Sequence, residues 1–240
     1  MLDGVRVRRF AYLPRRWEKL ADGGIAANLR ARPGRWIQVP PLVVSFLVVA
    51  RREARQRRTD VVHAHWVVPA GTVARLLRRP YLVTVHGADA YTLRSVPFGW
   101  IKRWTLRGAA AVVPVSSAIG DELRRLGGEV TMPIPMGVDF GGIAAAVGTR
   151  RPVAGRVLLI GRLVEKKGID ILLRAVVTVP AATIRVIGDG PCRTELTDLA
   201  TELGVADRVE FVGRRSRAEV LAELAEAAVV ALPSRVASTS

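Results

Sequence analysis

VLLIGRLVEKKG, residues Val157 to Gly168, passes from a short apolar run (Val157–Ile160) through Gly161 into a basic stretch with Arg162, Lys166 and Lys167. Gly168 then leads into an apolar-periodic segment, Ile169–Val177. The order is strand, glycine turn, basic loop, helix. At the carboxyl end of a parallel strand such a turn offers backbone N–H groups and a helix N-terminus to a ligand, and both favour an anion. Arg162 can add a two-pronged contact to a phosphate and Lys167 a point charge. Short basic loops are also common as plain solvated turns, and spacing alone leaves both readings open.

The pattern repeats downstream. The expected strand Thr183–Ile187 ends in Gly188-Asp189-Gly190-Pro191 and is followed by a helix from Cys192 to Leu203. A strand Arg208–Val212 ends at Gly213, a helix spans Arg217–Ala227, and a last strand Val229–Leu232 ends in Pro233-Ser234. Three successive strands thus finish in a glycine at one edge, where α/β sheets build nucleotide sites. Upstream, Val5–Tyr12 alternates Arg with apolar residues, the period of a half-buried strand. Strands are expected at 60–65, 81–86, 111–115 and 130–134, helices at 69–77, 97–107 and 118–126, and Ser116-Ser117 is a helix-capping pair. A Gly/Ala-rich linker is expected from Gly137 to about Pro152. The fold class is α/β, with parallel sheets in two domains, 1–145 and 146–240.

Half of the 240 residues are apolar, enough for a sizeable core, and the single cysteine, Cys192, excludes an intramolecular disulfide framework. The net charge of +16 is concentrated upstream: residues 1–120 hold 21 basic against 6 acidic side chains, residues 121–240 16 against 15. Such a surface attracts anionic lipid headgroups or anionic acceptors, although 33 of the 37 cations are Arg, as a compositional bias would also give. Nucleic acid is set aside as a partner, because no recognition motif or aromatic platform accompanies the charge. Residues 40–58, PPLVVSFLVVARREARQRR, are apolar first and basic afterwards. They suit either an interfacial helix on an anionic membrane or, preferably, a helix whose apolar half packs under the sheet. No stretch is expected to span a bilayer, and the N-terminus lacks an apolar signal core. The expected location is cytoplasmic, with a peripheral seat at the inner membrane face as the added option.

Two clusters at strand ends draw attention. His63 and His65 lie two apart on one strand and so share a face, but no cysteine or carboxylate cluster joins them, and no metal site is expected. No Asp-x-Asp pair is present to hold a metal on a diphosphate, so protein cations would have to stabilise a leaving group. His86 stands beside Gly87 where a side chain can project into a cleft, unless it is a satisfied structural histidine.

In this order and at these spacings, GRLVEKKG, VIGDGP, RVEFVG and VVALPS resemble the nucleotide-sugar-binding half of family 4 glycosyltransferases. VVHAHW, VTVHGADA, VVPVSS and PMGVD resemble the acceptor-side half, and the resemblance covers about Arg6 to Ser234. It implies a GT-B fold, with two Rossmann-like domains facing a cleft, and transfer of a sugar from a nucleoside-diphosphate sugar to an acceptor hydroxyl. It further implies retained anomeric configuration, no obligatory metal, and no cofactor beyond the sugar nucleotide as co-substrate. By motif match His86 lies against the donor sugar as a catalytic residue, with Asp89 as a polar acceptor-side partner. Arg162 and Lys167 bind the donor diphosphate; Gly161, Gly188, Gly190 and Pro191 line the donor cleft; Val212 and Gly213 pass beside the base; His65 and Trp66 flank the acceptor, which would be a glycan, a lipid-linked molecule or a small molecule.

The chain also departs from that pattern. The first strand and Gly-rich loop of the acceptor-side domain are not found, Gly23-Gly24 being too far from a preceding apolar strand. After Pro233-Ser234 the tail Arg235–Ser240 carries no acid where the family has two glutamates eight positions apart. Both domains are therefore expected to be incomplete, and the chain by itself impaired or inactive. The alternative function is a non-catalytic nucleotide- or phosphate-binding or interaction module.

Overall fold

The computed structural model describes residues 4–20, 25–91, 96–148 and 151–235, apart from the side chains of residues 26, 27, 30, 88 and 89. The chain divides into two compact units, Met1–Met136 and Gly137–Ser240.

The first unit begins as loop. Residues Val5–Tyr12 were expected to form a strand, but Val5 and Val7 are exposed, only Tyr12 is buried, and Phe10 packs at the edge of its cluster. Period-2 alternation makes a strand only when another strand supplies the ladder. Instead Tyr12, Leu20, Leu29 and Leu42 form a small cluster, in which the Tyr12 hydroxyl accepts from the Leu20 N–H at 3.0 Å. Helix α1 spans Ile25–Ala31, and a 3-10 turn, Pro33–Gln38, runs into α2, Val39–Gln56. Pro40 and Pro41 suit the first turn of α2, where a missing N–H costs nothing.

Of α2 only Leu42 and Ala54 are buried, while Val44 and Val48 are each 59% exposed. The expectation that its apolar half packs under the sheet is corrected: the face of Leu42, Phe46 and Ala54 turns inward, with Phe46 stacked on Phe10 at 5.3 Å, and the opposite stripe stays open. Beside the expectation that no stretch spans a bilayer stands one helical run that passes the test of length and composition alone. The continuous helical run Pro33–Gln56 has 24 residues, because the turn extends it upstream of the prolines, and its most apolar 18-residue window has a mean hydropathy of 1.3.

A βα alternation follows. Strand β1 (Val62–His65) leads through a tight helical turn to α3 (Thr72–Leu76), and β2 (Tyr81–Val85) to α4 (Gly87–Tyr91) and α5 (Val96–Arg107). Strand β3 (Ala111–Pro114) leads to α6 (Ser117–Arg125). The sheet is parallel in the order β1-β2-β3, with His65 opposite Thr84. Val67, Val83, Val85, Leu106 and Leu123 are almost wholly inaccessible in its core. Ser116 caps α6 through the Ile119 N–H, as its position before the helix requires. Residues 130–134 are not a strand as expected: they run beside β3, where Thr131 and Ile134 donate to the carbonyls of Val112 and Pro114, but alternate pairings are missing.

The second unit opens with α7, Phe140–Val147, where a linker was expected. Asp139 caps this Ala-rich segment by accepting from the Gly142 N–H, and pairs with Arg217 at 3.0 Å. Those contacts bind α7 to the second unit and place the boundary nine residues before the expected one. Then come β4 (Val153–Ile160), α8 (Ile169–Val177), β5 (Thr183–Ile187), α9 (Arg193–Glu202), β6 (Val209–Gly213), α10 (Arg217–Glu226) and β7 (Ala227–Val230). All four strands are parallel, in the order β6-β5-β4-β7. Leu158, Leu159, Leu173, Ile184 and Val186 fill this core, each contributing about 2 kcal/mol by leaving water. Between α10 and the sheet, Arg185 bridges Glu223 at 2.8 Å and also pairs with Glu210.

Candidate functional site

In the second unit the carboxyl ends of β4, β5 and β6 meet backbone to backbone. Gly161, following β4, donates its N–H to the Ile187 carbonyl at 2.9 Å, and Gly188, following β5, donates to the Gly213 carbonyl at 2.8 Å. A Cβ on Gly188 would collide with the Gly161 carbonyl, and its φ of +138° is glycine territory. Gly190 is packed as closely against Leu163, whose carbonyl accepts from the Cys192 N–H. The expected glycines Gly161, Gly188, Gly190 and Gly213 therefore come together, Gly188 and Gly190 because a chain crosses where a side chain would stand, and Gly213 with a φ of +75°. Val212 is half-buried at the end of β6, and Pro191 is exposed in the turn leading to α9.

The basic loop leaves this cluster as a 3-10 turn, Glu165–Lys167, and enters α8 through Gly168 at φ +62°. The Lys167 side-chain carbons lie 3.7 Å from the position of a Cβ on Gly161, so its stem crosses the turn. Arg162 is exposed at the start of the loop. One residue escaped the sequence reading. The Arg235 guanidinium donates to the Glu165 carbonyl at 3.1 Å and pairs with Asp170 at 2.5 Å, while its N–H donates to the Lys166 carbonyl. It straps the loop to the end of the sheet, and the only signal was a cation following Pro233-Ser234.

In the first unit the expected residues also gather at strand ends. His65 closes β1, Trp66 follows it, and His86 follows β2. His65 Nδ1 lies 3.1 Å from His86 Nε2, a hydrogen bond between two imidazoles. The Trp66 ring centroid is 5.0 Å from that of His86, with Trp66 held at φ +79°, an uncommon conformation for a bulky residue. His63, below on the same face, bonds Thr84 Oγ1 at 2.8 Å and lies 4.5 Å from the His65 ring. Burial first, and the neighbouring His65 second, hold both His63 and His86 below the ordinary imidazole range. His63 and His86 are therefore biased toward neutral imidazole, in which each ring donates one hydrogen bond and accepts one. Among the described residues no group of three or more His, Cys, Asp or Glu side chains is arranged to hold a metal ion. Asp89 lies in α4, and its side chain is outside the described residues.

The family profile for Glycosyltransferase Family 4 matches residues 3–141, and that for Glycosyl transferases group 1 matches residues 153–239. The chain belongs to glycosyltransferase family 4. Its two parallel-sheet units are of the GT-B class, as the sequence motifs led one to expect. Among curated relatives of this family-4 chain, glycogen synthase of Mycobacterium tuberculosis is 32% identical over 200 residues, covering 75% of the chain and 48% of the relative. The 2-deoxystreptamine glucosyltransferase of Streptomyces kanamyceticus is 27% identical over 212 residues, covering 75% and 55%. Among solved structures, HepE of Anabaena in complex with UDP superposes with a TM-score of 0.63 at 23% identity, over 82% of this chain and 57% of that one. Sucrose-phosphate synthase from Thermosynechococcus elongatus gives 0.64 at 23% identity, over 85% and 56%. The chain spans about half the length of the curated relatives it matches.

Proposed function

We propose that the second unit binds the diphosphate of a nucleoside-diphosphate sugar over its glycine turns, and that the whole protein transfers the sugar to an acceptor hydroxyl with retention and without an obligatory metal. The observation that carries this reading is the convergence of three strand ends, the α8 N-terminus and the Lys167 stem on one turn. The described relatives support it: their names are those of glycosyltransferases, and HepE has been solved with UDP and with UDP-glucose.

The physical demand on such a site is charge. As the glycosidic bond breaks, the diphosphate gains negative charge, and donors already in place lower its energy without having to reorganise. Arg162 and Lys167 carry that role, and losing one contact of this kind costs about 2–4 kcal/mol in the barrier. His86 lies against the donor sugar, with Asp89 as its polar partner on the acceptor side. His65 and Trp66 flank the acceptor, and Val212 and Pro191 line the nucleotide side. The donor base, the sugar and the acceptor, whether glycan, lipid-linked or small, are left open by the relatives' varied names.

The first unit adds an anionic membrane surface as partner, on the cytoplasmic side. Along α2 the open stripe of Val44 and Val48 continues into exposed Arg52 and Arg55, and Ile37 precedes it, 81% exposed. Apolar residues that enter the headgroup layer, followed by cations that pair with it, suit such a surface. Sedimentation with phosphatidylglycerol vesicles but not with phosphatidylcholine vesicles is the expected result.

Calorimetry with uridine and guanosine diphosphates tests the donor site. Binding by the chain, abolished in an Arg162→Ala/Lys167→Ala variant that keeps its circular dichroism spectrum, is expected; equal binding by both proteins would overturn the assignment. Release of free sugar or a glycosylated product then separates an active transferase from the alternative, a module that binds the nucleotide without turnover.

A further inference from the structure

His65 entered the site as a neighbour of the acceptor, yet its nearest polar contact is another imidazole. The 3.1 Å separation of His65 Nδ1 and His86 Nε2 engages one nitrogen of each ring. Among the described residues the other two, His65 Nε2 and His86 Nδ1, make no hydrogen bond, and His65 is exposed. Below the pair, Thr84 occupies the His63 ring, so His63 does not compete for His86. On the other side Trp66 packs against the His86 ring.

Two neutral imidazoles carry two N–H groups between them. Their mutual hydrogen bond consumes one N–H and one bare nitrogen. If His65 Nδ1–H donates, His86 carries its remaining proton on Nδ1 and His65 Nε2 is bare; if His86 Nε2–H donates, the roles of the two outer nitrogens exchange. Either way one outer nitrogen is a donor and the other an acceptor.

We propose that His65 is a positioning residue for His86, fixing its tautomer so that the outer nitrogens of the pair present one donor and one acceptor to ligand hydroxyl groups. That such hydroxyls belong to a sugar or acceptor rests on the glycosyl-transfer reading; the pairing itself does not. Protonation of the pair turns both outer nitrogens into donors and removes the acceptor. Among the described residues, the titratable group facing the pair is His63 on β1, with uncharged Thr84 on β2 beneath it and Trp66 against the His86 ring.

The chain has only three histidines, so 15N-histidine labelling of the full chain gives a spectrum that single substitutions assign. Two-bond 15N–1H correlations at pH 8 are expected to show one tautomer for each of His65 and His86, and the same tautomer in both, as the pairing requires. In His65→Phe the His86 ring returns to a tautomer mixture. In His65→Asn, whose amide takes the place of Nδ1, it keeps a single tautomer. Unlike tautomers, mixtures in the unsubstituted chain, or a His86 indifferent to His65→Phe would overturn the proposal. Should His65→Phe fail to fold, His86→Phe reads the same coupling on His65. No ligand is involved, so a failed turnover assay beside a positive tautomer result would remove the glycosyl-transfer reading and leave the pair standing.

Discussion

Gly188→Ala tests whether the glycine turns of the second unit are a packed backbone junction. At φ +138° an alanine is strained by about 1–3 kcal/mol wherever it stands. Its methyl also collides with the Gly161 carbonyl, so β4 and β5 must part at their ends. That weakens two backbone hydrogen bonds, Gly161 to Ile187 and Gly188 to Gly213, worth about 1 kcal/mol each. With both bonds lost, the expected destabilisation is about 3–5 kcal/mol. Gly204→Ala is the control. Its φ is +66° but nothing lies within 4 Å of the added methyl, so only the conformational part, about 1 kcal/mol, is expected. All five tryptophans belong to the first unit, so fluorescence is blind to this change. Hydrogen exchange of the β5 amides reads it directly, and slowing of exchange tracks the local opening free energy. A Gly188→Ala chain whose β5 amides are protected within about 0.5 kcal/mol of the parent, or no better separated from it than Gly204→Ala, would refute the reasoning.

Three further outcomes are expected. Arg235→Ala removes the strap on the Glu165–Lys167 turn, and the amides of residues 165–168 should exchange at least tenfold faster while those of β5 stay protected. Ser216→Ala breaks the capping box with Glu219 at the start of α10 and should lower the second unit's stability by about 1 kcal/mol in urea titrations followed by circular dichroism. The third concerns pH. His63 and His86 have folded-state pKa values depressed below the ordinary 6.5, so the unfolded chain takes up protons first. Their contribution to stability is complete above pH 6.5 and is lost as pH falls through the folded-state values. The thermal midpoint of the first unit, followed by tryptophan fluorescence, should fall between pH 7.5 and 5.5, and the fall should shrink in a His63→Gln/His86→Gln variant.

Much of this architecture was legible because βα repeats announce themselves locally. An apolar run stopped by glycine, as at Ile160-Gly161 and Ile187-Gly188, needs no distant information to be recognised as a strand end. Val5–Tyr12 misled because alternation reports a pattern of burial but says nothing of a ladder partner. Residues 140–147 looked like linker because Gly141 and Gly142 have low helix propensity, yet the Asp139 cap and the packing of α7 on α10 outweigh it. The open stripe of α2 was missed for a similar reason: composition fixes which residues are apolar, while only packing decides which of them are covered. At the site, the glycines and histidines were visible as strand-end residues. The His65–His86 bond and the Arg235 strap join positions 21 and 65 to 70 residues apart, and no spacing rule reaches that far.

The order of strands in the second sheet has a consequence for how the protein is made. Strand β4 leads the sheet in sequence, sits inside it in space, and takes β7, the last strand, as one of its two neighbours. On a ribosome, the edge of β4 that receives β7 stays bare while some 70 further residues are synthesised, and the strap supplied by Arg235 arrives later still. The turn that leaves β4 is thus among the first parts of this unit to emerge and is fastened only after β7 has been made. A nascent chain stalled short of residue 235 should present that loop to a protease, and one stalled far enough beyond it should not.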